Sequence, residues 1–226
     1  MAQYEIEIKS LLGDEAKAKD LIKKMCDADG TCKIESTSSQ LNHYFTGGDI
    51  NNLYAKVEHL FGSEEQERFQ LIAEKGSDFS VRTRQKDGEV LLVVKASVDG
   101  GTSSNTVSRL EFEEPVAVSL EELDSLVESA GYEYEAKWSR DREEYSYKGV
   151  NVCIDCNAGY GYLAEFETVT DTDDEVSLDN VRNRLKEIMA ELGVEELPQD
   201  RLARMFAHYN ANWRDYYGTK DTFNIE

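Results

Sequence analysis

Charged and apolar side chains alternate over several short stretches of this chain, and that alternation constrains its fold more than any other feature. In the first stretch, Ile6 and Ile8 stand between Glu5, Glu7 and Lys9. Successive side chains of a β-strand point to opposite faces of the sheet, so residues two apart share a face. Such a stretch therefore predicts a strand with one charged face and one apolar face, and the apolar face requires a core.

Four later stretches repeat this pattern. Their charged faces are Arg82 and Arg84; Arg109, Glu111 and Glu113; Arg140, Arg142 and Glu144; and Glu165 and Glu167. Lys95 adds a cation inside the apolar run 90–96. In an open sheet these charges would lie in water and pair across strands. If the sheet closes on itself, they converge in its interior, where charges must be paired or bound to ions.

The rest of the chain predicts helices and further strands. Strand patterns cover 4–9, 40–45, 79–86, 90–97, 106–114, 132–138, 140–148, 150–156 and 162–169, and helical spacing covers 14–27, 49–75 in two pieces, 119–130, 177–192 and 199–216. Ser119 and Glu122 form a capping-box sequence, and a turn signal at 86–89 predicts a hairpin. About eight strands, mostly joined by turns, favour an antiparallel sheet in an α+β fold, which could close into a barrel.

Composition narrows the class of protein. The 226 residues include 25 Lys and Arg against 46 Asp and Glu, a formal charge of −21 at pH 7. This charge disfavours duplex nucleic acid as a ligand. No apolar run reaches the length of a membrane span, and the first residues lack the basic and apolar regions of a signal peptide. With two prolines and no linker-like tract, we expect one domain over 1–226 and a cytoplasmic location.

The residue types on the charged faces indicate a chemistry. Carboxylate oxygens are hard ligands that suit Mg²⁺ or Mn²⁺. Clustered arginines and lysines suit the oxygens of a polyphosphate. A sheet that brings both kinds of side chain together predicts a site for a metal ion and a polyphosphate.

The ordered set of these residues resembles one known family. Glu5-Ile-Glu7-Ile-Lys9 is similar to the ExExK signature of the CYTH domain, the family of triphosphate tunnel metalloenzymes. The later sequence follows that family's order with Arg82-Thr-Arg84, Lys95, Arg109-Leu-Glu111-Phe-Glu113, Arg140-Asp-Arg142, Asp155 and Gly161-Tyr-Leu163-Ala-Glu165-Phe-Glu167. The resemblance covers residues 4–168.

The resemblance implies an antiparallel eight-stranded β-barrel that forms a triphosphate tunnel, with helices outside. Relative to the family core, the chain then has a helical insertion at 46–75 and a C-terminal helical extension at 177–226. By this resemblance, phosphate would be bound by Lys9, Arg82, Arg84, Lys95, Arg109, Arg140 and Arg142. Metal would be held by Glu5, Glu7, Glu111, Glu113, Asp155, Glu165 and Glu167, and catalysis would depend on Glu5, Glu7, Lys9, Glu165 and Glu167. The family more often has a lysine at the position of Arg140, for which Lys137 is the alternative.

The same resemblance implies an enzyme with Mg²⁺ or Mn²⁺ as cofactor and a small-molecule triphosphate as substrate: ATP, thiamine triphosphate or tripolyphosphate. Attack by water would make it a triphosphatase, which we favour because the sequence indicates no base-specific pocket. Attack by the ribose 3′-hydroxyl of ATP would make it a class IV adenylate cyclase. A non-catalytic module that binds a triphosphate ligand is the third alternative. We expect a monomer or a homodimer.

Substitution of the glutamates would test this interpretation. Glu7→Gln or Glu165→Gln is expected to abolish turnover. Either change is also expected to leave the fold intact, because it relieves repulsion among neighbouring carboxylates.

A second ExExK sequence occurs in Glu133-Tyr-Glu135-Ala-Lys137. It directly follows the helix that ends at Gly131, and Tyr134 and Ala136 alternate with its glutamates. This arrangement is typical of a strand with one solvated face, so we assign no metal to these glutamates.

The four cysteines do not follow a metal-binding or catalytic pattern. Cys153 and Cys156 are three residues apart on a strand and therefore face opposite sides. Cys26 and Cys32 lack the usual zinc spacing. All four are expected to be reduced, buried thiols.

Overall fold

The computed structural model describes residues 4–97, 109–170 and 175–225. Within them the strands are β1 (Tyr4–Gly13), β2 (Lys33–Gly47), β3 (Ser77–Lys86), β4 (Glu89–Ser97), β5 (Arg109–Val116), β6 (Tyr132–Tyr147), β7 (Val150–Asn157) and β8 (Gly161–Thr170). Their order in the sheet is β1-β8-β7-β6-β2-β3-β4-β5.

Helices accompany the sheet in the same described ranges. They are α1 (Glu15–Ala28), α2 (Ile50–Val57), α3 (Ser63–Lys75), α4 (Leu120–Ser129), α5 (Glu175–Leu192) and α6 (Gln199–Tyr216). α4 has the capping box that the sequence predicts. Ser119 Oγ accepts a hydrogen bond from the backbone N–H of Glu122, and the Glu122 carboxylate accepts one from the backbone N–H of Ser119. Among these helices, none is both long enough and apolar enough to cross a membrane.

One compact unit comprises Met1–Ser39 and Ser139–Glu226. It contains the antiparallel ladders β1–β8, β8–β7 and β7–β6. Helices α1 and α5 bury their apolar stripes against one face of these strands, in a core that includes Ile8, Leu21, Met25, Phe166, Leu185 and Met189. Because side chains alternate between faces, the charged side chains are left on the opposite face.

The other compact unit comprises Gln40–Trp138. It contains the antiparallel ladders β2–β3, β3–β4 and β4–β5. Helices α2, α3 and α4 cover the apolar face of these strands. Leu53 of α2 and Phe69 of α3 have no exposed surface. The helices predicted at 46–75 therefore form part of the core of this unit.

Most elements lie where the sequence predicts them. The hairpin turn between β3 and β4 has positive φ at Asp87 and Gly88, as a tight two-residue hairpin turn requires. β2 begins seven residues before the predicted 40–45, because its first residues are mostly exposed and polar and give no alternation signal. β6 is one strand where the sequence predicts two, since neither glycine nor proline interrupts it.

The antiparallel sheet with packed helices confirms the predicted α+β class. Closure into a barrel is not seen, because no ladder joins β1 to β5 among the residues that the structure describes. Alternation specifies which face of a strand is buried, whereas closure depends on strand tilt and stagger, which alternation does not specify. Of the strand predicted at 106–114, residues 106–108 lie outside the described residues.

Candidate functional site

In the first unit, strand register places charged side chains of β1, β8, β7 and β6 side by side. Glu7 lies directly opposite Glu167, and Lys9 lies directly opposite Glu165. Arg142 lies directly opposite Asp155. We call this group the Glu165 cluster, and its members are Glu7, Lys9, Arg140, Arg142, Asp155, Glu165 and Glu167.

Glu165 binds two cations at once. Its Oε1 lies 3.1 Å from Lys9 Nζ, and Nη2 of Arg142 donates to its Oε2. Lys9 Nζ also donates to Glu7 Oε1 at 2.6 Å. Glu165 is only 7% exposed, so water screens these ion pairs weakly. Burial raises the pKa of Glu165, but the charges of Lys9, Arg142 and Arg140 outweigh burial and hold that pKa at about 2.

Asp155 is held by two guanidinium groups. Arg142 donates from Nε to Oδ1 and from Nη2 to Oδ2, both at 2.7 Å. Arg140 donates from Nη1 to Oδ2 at 2.9 Å. Burial lowers the pKa of Arg142, but Asp155 and Glu165 outweigh burial and raise it above its ordinary value. The two-bond pair with buried Asp155 therefore fixes both the charge and the orientation of the Arg142 guanidinium.

Part of the Glu165 cluster has the donor atoms of a metal site. Ligand atoms of Cys153, Glu165 and Glu167 all lie within 4.8 Å of one another. The two carboxylates are the hard oxygen donors that Mg²⁺ and Mn²⁺ prefer. Burial raises the pKa of the Cys153 thiol, which therefore stays protonated and is a poor ligand for either ion. Asn151 Nδ2 donates to Glu167 and holds that carboxylate in place. The donor set fits a divalent cation held by carboxylates.

The low pKa of Glu165 makes the stability of the metal-free and phosphate-free protein depend on pH. A carboxylate whose pKa falls on folding stabilises the folded state above its unfolded pKa, here 4.5, and loses that contribution as pH falls towards about 2. Between about pH 5 and pH 3 we expect Glu165 to account for a loss of about 2 kcal/mol in the free energy of unfolding. Urea unfolding of the protein and of Glu165→Gln at both pH values measures this contribution. Equal losses in the two proteins would contradict it.

In the second unit the charged face carries a separate group, the Arg84 cluster, whose members are Arg82, Arg84, Lys95, Glu111 and Glu113. Arg84 donates from Nε to Asn42 Oδ1 and from Nη1 to Glu113 Oε1, both at 2.7 Å. Lys95 Nζ donates to Glu111 Oε1 at 2.7 Å. The Arg82 guanidinium lies over the Tyr44 ring, 4.4 Å from its centroid, in a cation–π contact. Each of the three cations is thus positioned by a neighbouring strand.

On the helix-facing side of this unit, buried Asp124 of α4 ties β2 to β3. Its carboxylate accepts hydrogen bonds from Thr83 Oγ1 at 2.5 Å and from Tyr134 OH at 2.7 Å, and it lies 2.7 Å from His43 Nδ1. Burial raises the pKa of Asp124, but hydrogen bonds with His43, Thr83 and Tyr134 outweigh burial and keep that pKa below its ordinary value. His43 and Thr83 are directly opposite each other, on the rung between the two arginines of the Arg84 cluster. Asp124 therefore reinforces the register from which those arginines project.

The two clusters contain twelve of the residues predicted from the sequence. For Glu5 and Arg109 the structure describes the backbone, in β1 and β5, and their side chains lie outside the described residues. Lys137, the alternative to Arg140, belongs to the second unit and lies 3.7 Å from Asp124 Oδ2.

Neutral side chains that the sequence did not predict also contact the charged groups, among them Asn42, Tyr44 and Asn151. A signal for them exists in the sequence. Gln40, Asn42 and Tyr44 alternate with Leu41 and Phe45, and Asn151 stands between Val150 and Val152. Neutral residues that alternate with apolar ones occur on ordinary solvated strand faces as well as on site-facing ones. The role of these three side chains is therefore seen only in their contacts.

Comparison with protein families gives a match that includes the whole Arg84 cluster and most of the Glu165 cluster. A family model described as the CYTH domain matches residues 70–201, more than half of the chain. That range begins after β1, so it excludes Glu7 and Lys9. Comparison with curated proteins gives no match.

Solved structures share the fold at low sequence identity. A conserved hypothetical protein from Pyrococcus furiosus is 16% identical with a TM-score of 0.58, covering 87% of this chain and 98% of that one. A Vibrio parahaemolyticus protein described as an adenylate cyclase candidate is 17% identical with a TM-score of 0.55, covering 92% and 99%. A Hippeastrum protein described as an adenylyl cyclase candidate with a dominant triphosphatase activity is 17% identical with a TM-score of 0.52, covering 91% and 96%. At these identities the likeness is one of fold.

Proposed function

Because the chain belongs to the CYTH domain family, we propose that it is a divalent-metal-dependent triphosphatase, which hydrolyses the terminal phosphoanhydride bond of a triphosphate. The observation that carries this proposal is the composition of the Glu165 cluster. Cations and carboxylates share one strand face on which Asp155 and Glu165 are buried, and Lys9 and Arg142 both pair with Glu165. A face built only for stability would be expected to bury apolar side chains here, because buried ion pairs contribute little net stability.

The pairing within the cluster suggests how a ligand would bind. Phosphate oxygens are anionic acceptors, as the Glu165 oxygens are, and a guanidinium or an ammonium can pair with either. Lys9 and Arg142 would exchange a carboxylate partner for a phosphate oxygen. This exchange would release the Glu165 carboxylate, which is one of the two carboxylates that could hold a divalent cation. Substrate and metal would thus replace ion pairs that already exist.

Glu165 and Glu167 would hold the divalent ion, with Glu7 opposite Glu167 in register. When bound, the ion would supply charge neutralisation and a lowered pKa for the attacking water. The sequence predicts Asp155 as a metal ligand, but we assign it a different role. Because Arg140 and Arg142 already occupy its oxygens, it would orient the guanidinium groups.

The cations of the cluster would orient the triphosphate for hydrolysis. Water must attack the terminal phosphorus in line with the bridging oxygen that leaves. Lys9, Arg140 and Arg142 would hold the non-bridging oxygens in that alignment, and such orientation is a large part of catalysis by this kind of site. The new bond joins the water oxygen to the terminal phosphorus, the bridging P–O bond breaks, and orthophosphate leaves together with the shortened chain.

Phosphorus NMR of the full chain tests the reaction directly. ATP and tripolyphosphate are supplied separately, first with Mg²⁺ and then with Mn²⁺. Release of orthophosphate supports the proposal. The same kind of activity is described for the Hippeastrum protein, which has a dominant triphosphatase activity. Pyrophosphate with 3′,5′-cyclic AMP would overturn it in favour of a cyclase. If both compounds bind and raise the melting temperature without reacting, the chain is a binding module.

In the second unit, we assign phosphate binding to Arg82, Arg84 and Lys95. Arg84→Ala is expected to weaken the affinity for tripolyphosphate by about tenfold or more, because it removes a charge-assisted hydrogen bond to the ligand. Isothermal titration calorimetry measures the affinity. Arg84→Lys should recover only part of it, since an ammonium cannot keep the bond to Asn42 and pair with the ligand in the same geometry.

The matched control for this prediction is Arg68→Ala. Arg68 pairs with Glu114 and lies near the Phe112 ring, so it belongs to the helix-packed face of the same unit. Its loss should leave the affinity for tripolyphosphate unchanged. Equal affinities in Arg84→Ala and in the unmodified protein would remove Arg84 from the binding set.

A further inference from the structure

Two thiols meet at the end of α1, outside the Glu165 cluster. Cys26 lies in the last turn of that helix, and Cys32 lies one residue before β2. Their Sγ atoms are 2.9 Å apart. Cys26 is exposed and Cys32 is half-buried, which differs from the predicted buried thiols. A disulfide of about 2.05 Å would need the sulfur atoms to approach by less than about 1 Å.

A tight turn holds the two thiols together. Asp29 ends α1, with its backbone N–H donating to Met25 O, and its own carbonyl accepts a hydrogen bond from the backbone N–H of Cys32 at 2.9 Å. The Asp29 carboxylate accepts hydrogen bonds from Thr31 N and Oγ1 and from the backbone N–H of Lys148. These bonds keep the turn closed while the thiols are reduced, so that little chain entropy would be lost on linking them.

The other two cysteines are placed differently. Cys153 lies directly opposite Glu165 and is buried, whereas Cys156 lies opposite Tyr162. Three residues apart on β7, they project to opposite faces of the sheet and cannot link to each other. Oxidation of the folded chain would therefore discriminate between the two pairs.

We propose that Cys26 and Cys32 form a reversible oxidation site, which a hydroperoxide converts to an intramolecular disulfide. Exposed Cys26 attacks one peroxide oxygen as a thiolate, so that an S–O bond forms and the O–O bond breaks. Cys26 becomes a sulfenic acid, and when hydrogen peroxide is the oxidant the released hydroxide takes the proton lost from the thiol and leaves as water. Cys32 sulfur then attacks Cys26 sulfur, the S–O bond breaks, and a second water leaves. The two thiols lose two electrons and two protons, and the peroxide accepts both. Burial and the neighbouring Cys26 raise the pKa of Cys32 to about 12, which favours Cys26 as the first nucleophile.

Mass spectrometry of the full chain after hydrogen peroxide treatment and alkylation tests this proposal. We expect the loss of two hydrogen atoms, alkylation of Cys153 and Cys156 after unfolding, and one linked peptide pair that joins Cys26 to Cys32. Dithiothreitol should restore all four thiols. The disulfide should also raise the melting temperature by about 5 °C, since it closes a short loop in the unfolded chain.

Two variants make the result decisive. Cys26→Ser alters an exposed side chain, so it should fold normally and form no intramolecular disulfide. Cys156→Ser should form the Cys26–Cys32 link as the unmodified chain does. Four alkylated thiols after oxidation, a link between other residues, or a dimer joined through Cys26 would each overturn the proposal. None of these outcomes depends on triphosphatase activity.

Discussion

Replacing Arg142 with alanine is expected to lower the free energy of unfolding by about 3–5 kcal/mol. The change removes two hydrogen bonds to Asp155 and one to Glu165. Asp155 has no exposed surface, so its charge would stay buried after losing a two-bond partner. Among the residues that the structure describes, Arg140 would remain as the only cationic partner of Asp155, and a buried charge that loses most of its hydrogen bonds costs far more than the original ion pair contributed. Urea unfolding at neutral pH, without metal or phosphate, measures the loss.

Two matched arginine variants separate this effect from the general loss of a cation. Arg140→Ala removes one bond to the same carboxylate, and a loss of about 1–2 kcal/mol is expected. Arg68→Ala removes a partly exposed pair with Glu114, for which less than about 1 kcal/mol is expected. If Arg142→Ala is no more destabilised than Arg68→Ala, Asp155 does not depend on the Arg142 guanidinium.

Glu165 shows what the sequence could and could not predict about the site. Its spacing from Glu167 places both on one face of β8, and the structure agrees. Repulsion among neighbouring carboxylates is the sequence-based reason to expect a stable Glu165→Gln. The structure gives the opposite balance, because Lys9 and Arg142 both attract Glu165 and keep its pKa low. Spacing within one strand gives the face of a side chain, whereas its ion pairs depend on other strands.

The same distinction holds for the fold. Alternation predicts β1 and β3 because one face of each is apolar and needs a core, and the turn signal at 86–89 predicts the hairpin that joins β3 to β4. The first half of β2 lacks that signal because its side chains are mostly exposed. The thiols of Cys26 and Cys32 meet through a turn whose hydrogen bonds involve Asp29 and the backbone of Lys148, which is distant in sequence. Contacts of this kind depend on how helices and strands pack, and they produce no periodic pattern in the sequence.

Glu7→Gln and Glu167→Gln are each expected to lower kcat by about 100-fold or more, because each removes a negative charge from the carboxylates assigned to the divalent ion. The melting temperature of Glu7→Gln should change little. Glu7 is 45% exposed in its side chain, and exposed ion pairs contribute little to stability. Steady-state kinetics with the triphosphate that the protein turns over measures kcat. Electron paramagnetic resonance of Mn²⁺ with the substrate-free chain measures metal affinity, which should fall in both variants.

Glu133→Gln is the matched control, because Glu133 is an exposed strand glutamate in the second ExExK sequence and contributes to neither cluster. It should keep the kcat and the Mn²⁺ affinity of the unmodified chain. A fall in kcat with unchanged Mn²⁺ affinity would contradict the metal-holding role of Glu7 and Glu167 while leaving triphosphate hydrolysis in place. If Glu7→Gln and Glu167→Gln match Glu133→Gln in both kcat and Mn²⁺ affinity, the Glu7 and Glu167 carboxylates serve only to pair with Lys9 and Asn151. The metal must then be held elsewhere.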